Sequence, residues 1–279
     1  MITLLFDGNY MSRRAHYSGA GDLENGTVFG FLRDVCVCME YFGTGDAAFF
    51  FDGAGSKRRD IFPDYKISRR TRQNRLAAEE RVAEQEYFRQ LEIIPEVLRA
   101  AGYRNISRQP GYEADDLIAA ALESYGGRLV IISADRDLWQ CLSDNLDISA
   151  WNPQQKKLMT EKTLRKTYGV SPEDWISVKA LAGCDTDDVP GVPGVGEGRA
   201  VQYLTGKMNR RGALGKRIEK SETQIQLNRT LVRLPFPGTV RPRPVPDSVT
   251  YKSWAAAMKK YGFPSLIAPP GLRREKVTK

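Results

Sequence analysis

The stretch Gly111-Tyr112-Glu113-Ala114-Asp115-Asp116 crowds three carboxylates together, and the apolar positions that run on from it, Ala114, Leu117, Ile118, Ala121 and Leu122, recur at helical spacing. The spacing predicts a helix whose first turn carries Glu113, Asp115 and Asp116. A helix N-terminus favours negative charge by up to roughly 1 kcal/mol. Three carboxylates so close repel one another, however, and one of them would ordinarily take up a proton. A bound divalent cation removes that conflict. Taken alone, E-x-D-D reads more readily as a solvated acidic helix start, so the rest of the chain has to decide.

Working outward, three apolar runs each deliver aspartate at their carboxyl ends. Residues 2–6 lead into Asp7-Gly8, residues 47–51 into Asp52-Gly53, and residues 128–132 into Ser133-Ala134-Asp135-Arg136-Asp137. Between them the pattern predicts a helix over 26–42, with Val28, Phe31, Leu32, Val35 and Met39 on one side, and another near 85–101. Strands alternating with helices predict an α/β fold with a mostly parallel central sheet flanked by helices. Ligands of such sheets bind beyond the carboxyl ends of the strands. Asp7, Asp52, Asp135 and Asp137 are therefore expected at one rim, together with the acidic helix start. Any single Asp-Gly is ordinary turn chemistry. Seven carboxylates at one rim would repel strongly without cations, which points to an oxygen-only site for Mg²⁺ or Mn²⁺.

Composition narrows the chemistry. The 279 residues are ample for a large core, and 42 basic against 34 acidic residues suit a polyanionic partner. His16 is the only histidine, which excludes a histidine pair and makes a nucleophilic triad hard to build. Cys36, Cys38, Cys141 and Cys184 lack C-x-x-C spacing and read as reduced thiols. The N-terminal apolar run is too short for a signal peptide, and no run approaches the roughly 20 residues of a membrane span. A soluble cytoplasmic protein is expected.

Residues 57–75 hold Lys57, Arg58, Arg59, Lys66, Arg69, Arg70, Arg72 and Arg75 against only Asp60 and Asp64. One reading is a solvated surface of mixed charge. The other is a mobile element that meets phosphates opposite the acidic rim, giving the acidic floor and basic wall that phosphodiester hydrolysis requires. Beyond about residue 150 the rhythm changes. Thr160 is placed to cap a helix to Tyr168, and Ser171-Pro172 opens another through Leu181. Glycines at 194 and 196 between helices can expose backbone N–H groups to phosphate, in the form of a helix-hairpin-helix. Residues 233–246 are proline-rich and read as extended, 253–261 as a short helix, and 272–279 as a disordered basic tail.

These residues resemble the 5′ nuclease family, which includes the 5′–3′ exonuclease domain of bacterial DNA polymerase I and the flap endonucleases of phages. The resemblance runs over about residues 2–235. It is carried by Asp7-Gly8 with Arg14 beyond it, Phe51-Asp52, Tyr65-Lys66, Gly111 to Asp116, Ser133 to Leu138, and Pro190-Gly-Val-Pro-Gly-Val-Gly196. It implies a PIN-like fold, with a catalytic α/β domain over 1–160, a helical arch at about 66–95, a helical DNA-binding region over 161–265 and a basic tail over 266–279. It also implies two-metal hydrolysis of 5′ ends or flaps in branched or duplex DNA, or of RNA annealed to DNA, by a free-standing monomeric nuclease.

By that resemblance Asp7, Asp52, Glu113 and Asp115 surround a first Mg²⁺ or Mn²⁺, while Asp116, Asp135 and Asp137 reach a second. Arg14, Arg58 or Arg59, and Lys66 face the scissile phosphate. Arg69, Arg70 and Arg72 of the arch contact DNA. A helix-hairpin-helix at about 174–204 grips duplex through Gly194, Gly196, Gly198 and Arg199, with K⁺ near Val192 and Val195. One departure stands out. The family's last acidic loop reads G-D-x-x-D-N-x-P-G, and here Cys184 occupies the first aspartate position, Asp187 the second, and Asp188 replaces the asparagine. Either Asp185 shifts in to restore a D-x-x-D with Asp188, or the second metal position is weakened, since a thiol is a poor ligand for a hard cation. A catalytically weakened branched-DNA-binding protein of the same fold is the alternative. A ribonuclease for single-stranded RNA is the third reading, and the arch and hairpin argue against it.

Overall fold

Elements follow the chain as β1 (Ile2–Asp7), α1 (Gly8–Ala15), α2 (Gly26–Phe42), β2 (Ala47–Asp52), α3 (Arg58–Ile61), α4 (Ile67–Arg75), α5 (Ala78–Ala101), β3 (Ile106–Gln109), α6 (Ala114–Ala121), β4 (Arg128–Ile132), β5 (Ile148–Asn152) and β6 (Lys157–Met159). They continue as α7 (Glu161–Tyr168), α8 (Pro172–Ala182), β7 (Gly183–Cys184), β8 (Val189–Pro190), α9 (Glu197–Leu204), α10 (Ala213–Lys220), α11 (Glu222–Val232) and α12 (Tyr251–Lys260). These come from a computed structural model that describes residues 1–20 and 24–268. The basic tail expected over 272–279 lies outside the described residues.

The main sheet has six strands in the order β3-β2-β1-β4-β5-β6. Its first five strands pair in parallel and β6 closes it antiparallel. Strand order reverses between β1 and β4, and the crevice at such a switch point is where ligands of open α/β sheets bind. Alternation along the buried strands divides the core. Leu4, Phe6, Phe49, Phe51, Val130 and Ile132 face the layer of α1, α2, α5 and α12, while Leu5, Ala48, Phe50, Leu129 and Ile131 face α6 and the later helices. Gly8 is required where α1 crosses β2, because a Cβ there would stand 2.4 Å from the Phe51 ring.

Several outcomes differ from the expectations. β3 and β6 carry too few apolar residues to read as buried strands, and their edge positions let them be polar; β5, beside the edge, is buried over Ile148 to Trp151. The helix expected near 85–101 begins earlier, at Ala78, and runs without interruption to Ala101. Its second half is buried through Leu91, Ile94, Val97, Leu98 and Ala101, so the span 66–95 expected to form an arch is occupied by α4 and the first part of α5, exposed over its first turns. The helical region expected over 161–265 shares one core with the sheet, since Leu5 and Phe50 cluster with Val192, Ala200 and Ile218. Its last helix, α12, packs on the opposite face against α5.

Candidate active site

The carboxyl edge of the sheet gathers the acidic residues. Asp7 ends β1 and is nearly buried; its Oδ1 accepts the Tyr10 N–H at 2.9 Å and its Oδ2 the Ser133 hydroxyl at 2.9 Å. Asp52 ends β2 and accepts the Ala114 N–H at 2.8 Å, which ties the start of α6 to that strand. Glu113 sits at the N-terminus of α6, with Lys66 Nζ at 2.7 Å and the Tyr65 hydroxyl at 3.0 Å. Asp135 and Asp137 occupy the turn after β4, where the Asp137 N–H donates to Asp135 Oδ1 at 2.8 Å. Lys179 Nζ lies 2.8 Å from Asp137 and 3.2 Å from Glu197, and Arg136 holds the other side of Glu197 at 2.7 Å. Asp187 receives Arg69 at 2.8 Å and the Tyr65 hydroxyl at 3.3 Å.

Proton affinities register the crowding. Burial pushes Asp7 up to about 7, and the charges of Asp52 and Asp135 add to it. Burial and then Asp135 push Asp137 up to about 7. Asp52 and Asp135 rise mainly through burial, and Asp115 rises well above the usual carboxylate range through burial, Asp116 and Glu113. Glu113 is the exception: burial raises it, but Lys66 and Arg58 outweigh burial and hold it low. Carboxylates whose burial outweighs the partner charge they have form an oxygen-donor set suited to hard divalent cations.

Two expected ligands lie elsewhere in the chemistry. Asp116 is fully buried and accepts both guanidinium N–H groups of Arg58, at 2.6 and 2.8 Å, together with the Phe236 N–H at 2.8 Å and the Glu113 N–H at 3.1 Å. A carboxylate so fully bonded has no lone pair left for a metal, and Arg58, 2% exposed and also bonded to the Leu231 carbonyl, cannot face a phosphate. The pair is a structural anchor for α6. Asp188 is likewise withdrawn: it accepts the Ser68 N–H at 2.8 Å and the Ser68 hydroxyl, capping α4. Asp185 is exposed, and Arg14 is paired with Asp34 of α2. Arg59 is half-buried with its Nε lacking a hydrogen-bond partner. Without any shift of register, Cys184, Asp187 and Asp137 place one donor atom each within 4.8 Å of one another.

The basic side is built from α4 and the hairpin. Lys66 has φ +55°, in the left-handed region, and its N–H donates to the Asp187 carbonyl at 2.9 Å. Arg69, Arg70 and Arg72 are exposed on α4. α8 and α9 flank the loop 191–196, where Gly194 has φ +82° and a Cβ on Gly191 would meet the Ala182 carbonyl at 2.0 Å. Gly196 and Gly198 open onto free space at the N-terminus of α9, an arrangement that lets backbone N–H groups reach an anion. Val192 and Val195 are buried, the Val195 N–H bonds the Val192 carbonyl at 2.8 Å, and Arg199 and Arg217 donate to the Gly194 and Pro193 carbonyls at 2.6 and 2.8 Å. Sequence reasoning missed Lys179. Its signal was a lysine on the same buried face of α8 as Trp175 and Val178.

Residues 2–169 match the family described as 5′–3′ exonuclease, N-terminal resolvase-like domain. The DNA polymerase I of Thermus thermophilus is 31% identical over 210 residues, covering 72% of this chain and 23% of that protein. The DNA polymerase I of Mycobacterium bovis is 28% identical over 277 residues, covering 90% of this chain and 29% of that protein. The chain thus spans about a quarter of the length of these relatives. Among solved structures, the 5′-exonuclease of phage T5 with divalent metal ions (zinc) bound matches with TM-score 0.74 at 20% identity, covering 84% of this chain and 90% of the other. The phage T5 flap endonuclease in a pseudo-enzyme-product complex with DNA and metal ions matches with TM-score 0.72 at 19% identity and the same coverage. At these identities the likeness establishes the PIN-like 5′ nuclease fold. Through its N-terminal resolvase-like domain, the chain belongs to the 5′–3′ exonuclease family.

Proposed function

We propose that the chain is a metal-dependent, structure-specific 5′ nuclease that hydrolyses phosphodiesters at 5′ ends or flaps of branched or duplex DNA, or of RNA annealed to DNA. The observation that carries this reading is the gathering of Asp7, Asp52, Glu113, Asp115, Asp135, Asp137 and Asp187 at the carboxyl edge of the sheet, opposite Lys66 and the exposed arginines of α4. Divalent cations such as Mg²⁺ or Mn²⁺, when bound there, supply phosphate polarisation and water activation. The chain's own groups do the positioning. Lys66 supplies a fixed positive charge where negative charge grows on the phosphate. Tyr65 holds the carboxylates of Glu113 and Asp187 in register through its hydroxyl. Arg69, Arg70 and Arg72 meet the backbone of the strand entering the cleft, and the exposed N-terminus of α9 meets a duplex phosphate further out.

At the hairpin, Arg199 and Arg217 donate to the Gly194 and Pro193 carbonyls, and K⁺ beside Val192 and Val195 belongs to the same reading. No helix among the described residues is long and apolar enough to cross a membrane, and a monomer acting in the cytoplasm suits the reading. The test is cleavage of a duplex with a labelled 5′ flap in Mg²⁺, in Mn²⁺ and in EDTA, with Asp115→Ala beside the wild type. Cleavage near the branch that is lost in EDTA and in the variant is expected. Tight salt-sensitive binding with no cleavage in either metal would overturn the reading in favour of a binding protein.

A further inference from the structure

Resting on the metal-dependent reading above, we infer that the acidic rim joins two cation positions of unlike chemistry. One is the oxygen-only position that the family resemblance gives to Asp7, Asp52, Glu113 and Asp115. The other is a mixed oxygen and sulfur position of Asp137, Cys184 and Asp187 that selects a borderline or thiophilic divalent cation of the Co²⁺, Zn²⁺ and Cd²⁺ class over Mg²⁺.

Geometry places the thiol where it has to be. The donor atoms of Asp137, Cys184 and Asp187 lie within 4.8 Å of one another, a spread that ligand bonds of roughly 2.0–2.6 Å close with small side-chain movements. The thiol is held there by its backbone. Cys184 pairs with Val189 and Gly183 with Pro190 across β7 and β8, and a Cβ on Gly183 would stand 2.3 Å from the Gly191 nitrogen, so the hairpin has no slack. No other carboxylate of the loop competes for the place. Asp185 is exposed, and Asp188 is committed to Ser68 on α4.

Chemistry then sets the preference. Mg²⁺ demands oxygen ligands in near-octahedral geometry, whereas thiolate ligands favour softer ions. Coordination breaks the Sγ–H bond and forms an Sγ–metal bond, with the proton leaving to solvent. Arg69, 57% exposed, can swing from Asp187 into water to make room, and Lys179 can keep its second partner, Glu197, when Asp137 turns to the ion.

The experiment is a Co²⁺ titration of the metal-free full chain, followed by near-ultraviolet absorption and by calorimetry, on wild type, Cys184→Ser and Cys184→Asp, with circular dichroism to establish that each variant is folded. Wild type should show a thiolate-to-cobalt charge-transfer band that saturates with a single equivalent, and Cys184→Ser should lose the band while still binding Co²⁺ at the oxygen position. Cys184→Asp should also lose the band and gain Mg²⁺ affinity at the second position, on the order of tenfold. A band that persists in Cys184→Ser would come from Cys36, Cys38 or Cys141 and would overturn the inference. So would a wild type that binds two Co²⁺ without any band. Either result leaves the nuclease reading standing, whereas a wild type that binds no divalent cation at all removes both.

Discussion

Raising the pH of the metal-free protein from about 5.5 to about 8 should destabilise it, and adding Mg²⁺ should offset the part of the loss that comes from the oxygen-only position. The sign follows from which state holds the protons. Asp7 sits at about 7 in the folded chain against an ordinary value of 3.8, so between those values the folded state binds a proton that the unfolded state has released. Stability from that proton is fully present below about pH 4 and is lost as pH rises through about 7. At about 1.4 kcal/mol per pH unit, Asp7 contributes about 2 kcal/mol at pH 5.5 that is absent at pH 8. Asp137, raised to about 7 by burial and by Asp135, contributes about as much again. Asp52, Asp115 and Asp135 are raised in the same direction.

Opposing groups titrate outside the window. Glu113 is held low by Lys66 and Arg58, so its contribution is present above the ordinary carboxylate range and is lost only in more acidic solution. Lys66 and Lys179 are raised by their carboxylate partners despite burial and keep their protons throughout. A combined loss of about 4 kcal/mol corresponds to a fall in Tm on the order of 10 °C for a chain of this size. Thermal melts in EDTA at the two pH values measure it directly. The same pair of melts in Mg²⁺ serves as the control, because a cation binds the deprotonated carboxylates and offsets their loss. A metal-free protein whose Tm is flat or rises between the two pH values would refute the claim that burial outweighs the compensating charge at these carboxylates.

The remaining predictions separate structural from functional acids. Arg58→Ala should lower folding stability by about 3–5 kcal/mol in urea titrations, since it strands the buried Asp116 charge. Asp115→Ala should leave the metal-free protein as stable or more so, because it removes a carboxylate repelled by Asp116 and Glu113, while removing Mg²⁺ binding at the oxygen-only position in calorimetry. Lys66→Ala should slow single-turnover flap cleavage by roughly 100- to 1,000-fold, with the dissociation constant for uncleaved flap in Ca²⁺ changed only a few-fold. Binding of flap DNA should weaken steeply with salt, and Arg70→Ala should reduce the slope of log K against log salt by about one.

Much of this site is legible in the sequence because strand ends and helix starts have local signatures. Asp7, Asp52 and Asp135 follow apolar runs whose length and turn residues mark them as buried strands, and Glu113 precedes an unmistakable apolar helix face. What stays hidden is which acidic residue turns inward to a partner. Asp115 and Asp116 are adjacent and chemically alike, yet one helical step of rotation sends Asp116 to Arg58 and leaves Asp115 at the rim. Arg58 in turn lies inside a run of basic residues where nothing local distinguishes the buried guanidinium from its exposed neighbours. The pairing depends on contacts across 58 residues of chain, and a window of sequence does not contain it.

The same point explains why the last acidic loop matters beyond its ligands. Consecutive residues there serve opposite sides: Asp187 turns to Tyr65, Lys66 and Arg69, while Asp188 turns outward to cap α4 through Ser68. Arg69 also donates to the Thr186 carbonyl at 3.0 Å, and the Lys66 N–H to the Asp187 carbonyl, so the turn before α4 and the loop 184–188 are laced together. Both Lys66 and Asp188 adopt left-handed backbone conformations, at φ +55° and +56°, which side chains with a Cβ adopt at a cost of order 1–3 kcal/mol each. The lacing offsets that cost and fixes the direction of the Lys66 ammonium toward Glu113. An ion arriving at Asp187 has to displace Arg69, so loading the acidic floor loosens one of the bonds that hold the basic wall against it. In the proposed nuclease, that event would free the Arg69 charge for a substrate phosphate.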